Sequence, residues 1–249
     1  MKAILLALSI GLSPLQILAD HLRFTLPLLG TEAAPATVHG YLFSEKKETF
    51  IVIDRLAPDQ KPPLQTLQAA AQAHHCLAAS NGGFFHPDNE PLGLMIAGGK
   101  VSGRVNTDSS VASGALVIRD GKPRILRARA LKALPRPWPR HLLQTGPFLV
   151  ENRQVIRGLS KRRQARRTFI ATDGKGTWLL AVTPPTTLNQ LAQALTLKGG
   201  KRPFPIQTAL NLDGGSSTAL WIAPEQSGQT PFYLKEFTRV RNYVGIIPR

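Results

Sequence analysis

Two stretches of the chain set an Asn or Asp directly before paired glycines, each after an apolar segment. The downstream stretch is Ala209-Leu-Asn-Leu-Asp-Gly-Gly-Ser-Ser-Thr-Ala-Leu-Trp221, and the upstream one is Ala79-Ser-Asn-Gly-Gly-Phe-Phe-His-Pro-Asp88. In the first, Asp213 can serve as a general acid or base, or as an acceptor that orients another group. Gly214 and Gly215 allow backbone angles closed to other residues and let a ligand approach the main chain. Successive N–H groups in such a turn form a nest for an anion, with Ser216, Ser217 and Thr218 as further donors. The competing reading is an ordinary hairpin turn in which Asp213 bonds its own backbone. The upstream near copy gives the pattern weight, because two such turns at strand ends can converge on one site.

The elements that would carry these turns are short. Ala209–Leu212 and Ala219–Ile222 read as strands ending and restarting around the Asp-Gly-Gly turn. His39–Asp54 reads as a hairpin with a charged turn at Glu45–Glu48. Further hairpins are expected at Leu92–Val101, Ala115–Leu126 and Thr168–Val182, and strands flank a turn at Glu151–Arg153. Leu64–His75 and Thr187–Leu197 carry helical spacing, the second with Thr187 as its cap. The proline-rich, basic Leu131–Pro139 reads as an exposed connector. Many strands, two helices and no tandem repeat predict a single α+β domain on an extended antiparallel or mixed sheet.

The first 19 residues carry one positive charge, Lys2, and then an apolar run, the pattern of a signal peptide ending at Ala19. Residues 20–249 would then form the domain, exported to a periplasmic or extracellular space. A buried first element or a retained anchor are the alternatives. The single cysteine, Cys76, can form no internal disulfide; a nucleophilic thiol with His74 or His75 competes with a small buried apolar residue. No Cys/His spacing suggests zinc and no acidic trio suggests a calcium loop, so neither an obligatory metal nor another cofactor is expected.

The formal net charge is +16, and the excess is local: residues 98–167 hold 17 Lys or Arg against Asp108, Asp120 and Glu151. Such a field favours anionic partners. Export disfavours nucleic acid and leaves anionic glycans and, peripherally, an anionic membrane surface; a merely solubilising basic face is the alternative.

Five patterns stand together in order: Asn81-Gly-Gly-Phe-Phe85, Pro91-Leu-Gly-Leu94, Thr145-Gly-Pro-Phe-Leu149, Arg167-Thr168 before a strand, and Asn211-Leu-Asp-Gly-Gly-Ser-Ser217. As a set they resemble the phosphodiester glycosidase family over about residues 38–247. The chain departs from it at Ala171 and Ser216, where the family often has glycine. The resemblance implies an α+β domain that hydrolyses the bond between a sugar's anomeric carbon and a phosphate. Under it, Arg167 is expected to grip the phosphate through its planar fork, and Asp213 to activate water, or else to hold Arg167 or a sugar hydroxyl. Asn81, with Gly82 and Gly83, would bind a sugar hydroxyl or phosphate oxygen, or only form its turn. His86 would donate to phosphate or shuttle a proton, and Glu90 or Asp88 would supply a second carboxylate; loop positions are the alternatives. Gly146 would shape the floor of the cleft, and Ser217 would donate to phosphate without acting as a nucleophile. The same fold and basic face would also suit a non-catalytic binder of anionic polysaccharide or lipid headgroups.

Overall fold

Strand Thr177–Thr186 pairs on one side with Ala165–Thr172 and on the other with Ala36–Ser44, all antiparallel. Its run Trp178-Leu-Leu-Ala-Val182 is apolar throughout because both faces are covered: Leu180 and Val182 point to one core, Leu179 and Ala181 to another. The computed structural model describes residues 21–28, 35–58, 63–198, 202–224 and 231–249. The expected signal segment, 1–19, lies outside the described residues.

The strands form three antiparallel sheets, a seven-stranded one and two of five strands. The predicted α+β domain is therefore present, with its extended sheet divided in three and every strand pair among the described residues antiparallel. One shared core lies between them, with Tyr41, Phe148 and Leu210 from the first sheet, Phe50 and Val244 from the second, and Met95 and Leu116 from the third. The outer faces are closed separately. Helix α1 (Leu67–Ala73) packs on the second sheet through Leu67 and Ala70. Helix α2 (Leu188–Thr196) packs on the first through Leu191 and Leu195. A 3-10 segment, Ala128–Ala133, covers the third with Leu131.

Local chemistry fixes the helix starts. Thr187 and Gln190 form a capping box, the Thr187 hydroxyl accepting from Gln190 N and the Gln190 side chain from Thr187 N, both at 3.1 Å. Thr66 caps α1 by accepting from Ala69 N at 3.1 Å, so that helix is shorter at its start than Leu64–His75. Cys76 follows α1 as a buried residue, and burial pushes its thiol up to about 12, which removes the nucleophilic reading.

The hairpins at Met95–Ser102, Gly114–Arg127 and Ala165–Thr186 form as expected. His39–Asp54 does not. Its strands, Ala36–Ser44 and Glu48–Asp54, lie in different sheets, the second pairing with Asn242–Pro248. The charged turn carries the chain from one layer to the next, and the aromatic residues on its arms meet across the core. Phe50 packs edge-on against Phe43 and Trp178, with ring centroids 4.9 and 5.6 Å apart.

Candidate functional site

The two Gly-Gly turns meet where strands of different sheets end. Strand Ala78–Asn81 belongs to the second sheet, while Thr208–Asn211 belongs to the first. After Asp213 the chain re-enters the second sheet at Leu220–Ile222, beside Ala78–Ser80. The Asp-Gly-Gly segment is thus a crossover between layers, and its flanking strands do not pair with each other. This removes the hairpin reading.

Asn81 ties the layers together. It is fully buried, donating through Nδ2 to the Asp213 carbonyl at 2.7 Å while its Oδ1 accepts from Thr168 Oγ1 at 2.7 Å and Ala219 N at 3.0 Å. Asp213 N in turn donates to the Gly82 carbonyl at 2.9 Å, and Leu212 N to Thr168 O at 2.8 Å. The expectation that Asn81 offers its amide to a substrate is corrected here: the amide is engaged in positioning Asp213.

Gly82 and Gly83 are also committed internally. Gly82 N donates to the Asn242 carbonyl at 2.9 Å, and Gly83 N to Asn242 Oδ1 at 2.8 Å. A Cβ on Gly82 would lie 2.0 Å from Asn242 Oδ1. The close approach that glycine permits here is to Asn242 of the neighbouring strand, not to a ligand. Gly82→Ala should therefore lower the melting temperature by about 10 °C or more, the expected consequence of overpacking by several kcal/mol. A thermal melt within two degrees of the parent would contradict this packing.

The Asp213 side chain is half-buried, and its surroundings act in opposite directions. Desolvation dominates and holds the carboxyl above its ordinary range. The Ser217 hydroxyl, the Gly214 N–H at 2.7 Å from Oδ1, and the positive charge of Arg163 oppose that rise. Ser217 is thus engaged with Asp213. Gly215 starts a one-turn 3-10 segment, Gly215–Ser217, at a φ of +65°, and Ser216 is exposed beyond it.

Three arginines surround this loop. Arg167 is buried on strand Ala165–Thr172 and donates through Nε to the Thr186 carbonyl at 3.0 Å and through a terminal nitrogen to the Arg163 carbonyl at 2.7 Å. Its Cδ lies 3.8 Å from where a Gly214 Cβ would be. Burial and the charge of Arg163 lower its pKa. Arg166 donates through Nε to the Gly215 carbonyl at 3.3 Å. Arg163 is exposed, and its charge bears on both Asp213 and Arg167. None of the three forms an ion pair with a carboxylate among the described residues.

The remaining expected residues stand further away. Gly146 touches the site through its carbonyl, which accepts from Asn211 Nδ2 at 3.0 Å two residues before Asp213. His86 and Glu90 are exposed and line a separate cleft of about 910 Å³ with Arg104, Asn106 and Asp108. Buried Gln144 fixes one of its lining residues, accepting from Asn106 N as well as from Leu94 N, both at 3.0 Å. Asn242 and Arg163 were not singled out for this site from the sequence. An asparagine opening the otherwise apolar strand Asn242–Pro248 is the signal that marks the first; nothing local separates Arg163 from its basic neighbours.

Comparison with known proteins agrees with this architecture. A family model described as phosphodiester glycosidase matches residues 74–247. No curated protein matches the sequence. Among solved structures, the chain is similar to the catalytic domain of zebrafish N-acetylglucosamine-1-phosphodiester alpha-N-acetylglucosaminidase, auto-inhibited by its pro-peptide. That match has 16% identity and a TM-score of 0.65, and covers 92% of this chain and 83% of that one. A hypothetical protein from Synechocystis matches at 16% identity and a TM-score of 0.56, with 92% of this chain and 62% of that chain covered. A Burkholderia pseudomallei K96243 protein described as exported matches at 13% identity and a TM-score of 0.50, over 86% of this chain and 74% of that one. With the family model spanning well over half its length, including the Asn-Gly-Gly and Asp-Gly-Gly turns, the chain belongs to the phosphodiester glycosidase family.

Proposed function

We propose that the protein is an exported hydrolase that cleaves the bond between the anomeric carbon and the phosphate of a sugar-1-phosphodiester, in an anionic envelope or extracellular glycan. The observation that carries this reading is a carboxylate of raised pKa, fixed at a crossover between two sheets, beside arginines that form no ion pair with a carboxylate among the described residues. Family membership and the named activity of the zebrafish relative support the same class. The export pattern of residues 1–19 and the exported Burkholderia relative support the location.

In this mechanism Asp213 takes a proton from a water molecule that attacks the anomeric carbon. A new C–O bond to water forms as the bond to the phosphate oxygen breaks, and its electron pair leaves with the phosphate. Arg163 and the unengaged edge of Arg167 face the charge that develops there. The departing phosphate monoester is already a weak base, so one carboxylate suffices. Ser217 orients Asp213, and Asn81 holds its backbone. The cleft bearing His86 and Glu90 receives the outer part of the substrate. The basic face concentrates anionic substrate and permits peripheral contact with an anionic membrane.

Arg163 gives the cleanest test because it is exposed and its loss should leave folding unchanged. Purified protein should release free sugar from at least one member of a panel of sugar-1-phosphodiesters. Arg163→Ala should lower kcat/KM about tenfold or more at an unaltered melting temperature. Release of no sugar from any member, with tight binding to anionic polysaccharide, would instead identify a binding protein.

A further inference from the structure

Among the described residues, two large hydrophobic side chains stand exposed, Val101 at 52% and Phe237 at 82%. Val101 lies on a hairpin strand. Phe237 lies against the Asp213 turn: its N–H donates to the Ser216 carbonyl at 2.8 Å, and Thr238 N reaches the same oxygen at 3.3 Å. The preceding residue anchors the segment from the other side. Glu236 is buried, accepting from Leu67 N at 2.8 Å and from the Tyr233 hydroxyl at 3.0 Å. The ring is therefore held in water by ordered backbone on both sides.

Part of its surroundings is already cationic. The Arg166 guanidinium packs over the ring at 4.5 Å from its centroid while bonding the Gly215 carbonyl, and one terminal nitrogen of Arg166 is buried without a partner. Ser216 offers an exposed hydroxyl at the same edge. The flanking side chains Lys235, Thr238 and Arg239 are exposed and polar, so the ring does not belong to a wide apolar docking face.

We infer that Phe237 is a binding platform for the sugar ring of the substrate, placed beside Arg166 at the edge of the Asp213 turn. A pyranose has one face rich in C–H groups and a rim of hydroxyls. The first packs on an aromatic face, and the second needs donors and acceptors such as Ser216 and Arg166. A bare phosphate would need only the cations. The assignment rests on the phosphodiester reading of the site and adds the residue that selects a sugar over other phosphate-bearing groups.

The test is titration calorimetry of the parent, Phe237→Ala and Phe237→Trp with N-acetylglucosamine 1-phosphate and glucose 1-phosphate, using inorganic phosphate as reference. The exposed ring can be removed without disturbing the core. The parent should bind at least one sugar phosphate more tightly than inorganic phosphate. Phe237→Ala should weaken that binding about tenfold, leave inorganic phosphate unchanged, and be rescued by Phe237→Trp. Equal binding by parent and Phe237→Ala would overturn the platform, as would an equal loss for both ligand classes, since the ring would then only order Arg166. A parent that binds inorganic phosphate but prefers no sugar phosphate removes the platform and leaves the phosphate site. A parent that binds neither removes the phosphodiester reading and the platform together.

Discussion

Asp213→Asn should lower kcat for sugar-1-phosphodiester hydrolysis by about a thousandfold while substrate still binds, the range expected for losing a positioned general base. The isosteric amide keeps the shape of the turn but cannot accept a proton from water. The variant should not unfold more easily. A carboxyl whose pKa is raised in the folded state favours folding most below its unfolded pKa, and that contribution fades as pH rises through the folded value. At neutral pH the buried charge is a net cost, and the amide removes it, so a melt of the variant should lie at or above that of the parent. The same shift sets the acid limb of the pH profile. Activity requires the ionised form, so kcat/KM should fall, as pH drops, at a value above the ordinary aspartate range. An acid limb at or below that range would mean that a different group supplies the base.

Asn81→Ala should be among the most damaging single changes in folding terms. The side chain is fully buried, and its removal leaves the Thr168 hydroxyl, the Ala219 N–H and the Asp213 carbonyl without partners in a space closed to solvent. At about 1–3 kcal/mol for each orphaned group, the loss should be about 3 kcal/mol or more. Urea titration measures it directly. Activity should fall further than stability requires, because the same amide fixes the backbone from which the Asp213 side chain projects. Full activity in the fraction that remains folded would show that Asn81 has no part in positioning the base.

Much of the site was legible in the sequence because its signals are local. Paired glycines after apolar segments mark both turns, and the motif set identifies the family. Strands such as Thr177–Thr186 and the cap at Thr187 follow from side-chain pattern and hydrogen-bonding chemistry within a few residues. The division into three sheets is not local. Whether Glu48–Asp54 pairs with its predecessor or with Asn242–Pro248, nearly two hundred residues away, depends on what else the core accommodates. The roles within the site were harder still. An asparagine in a turn looks the same whether it binds a sugar or joins two sheets; only the burial of Asn81 and the geometry of Thr168 and Ala219 distinguish them. Similarly, Arg163 is one of several arginines in a basic run until folding sets its charge against Asp213 and Arg167.

Under the proposed mechanism the bond broken joins the sugar to the oxygen, not the oxygen to phosphorus. Hydrolysis of a sugar-1-phosphodiester in water enriched with oxygen-18, followed by mass spectrometry of both products, tests it most directly. Attack of water at the anomeric carbon should put the heavy atom at the anomeric hydroxyl of the released sugar and none in the phosphate monoester. Label in the phosphate product, with unlabelled sugar, would show attack at phosphorus and contradict a glycosidase mechanism centred on Asp213.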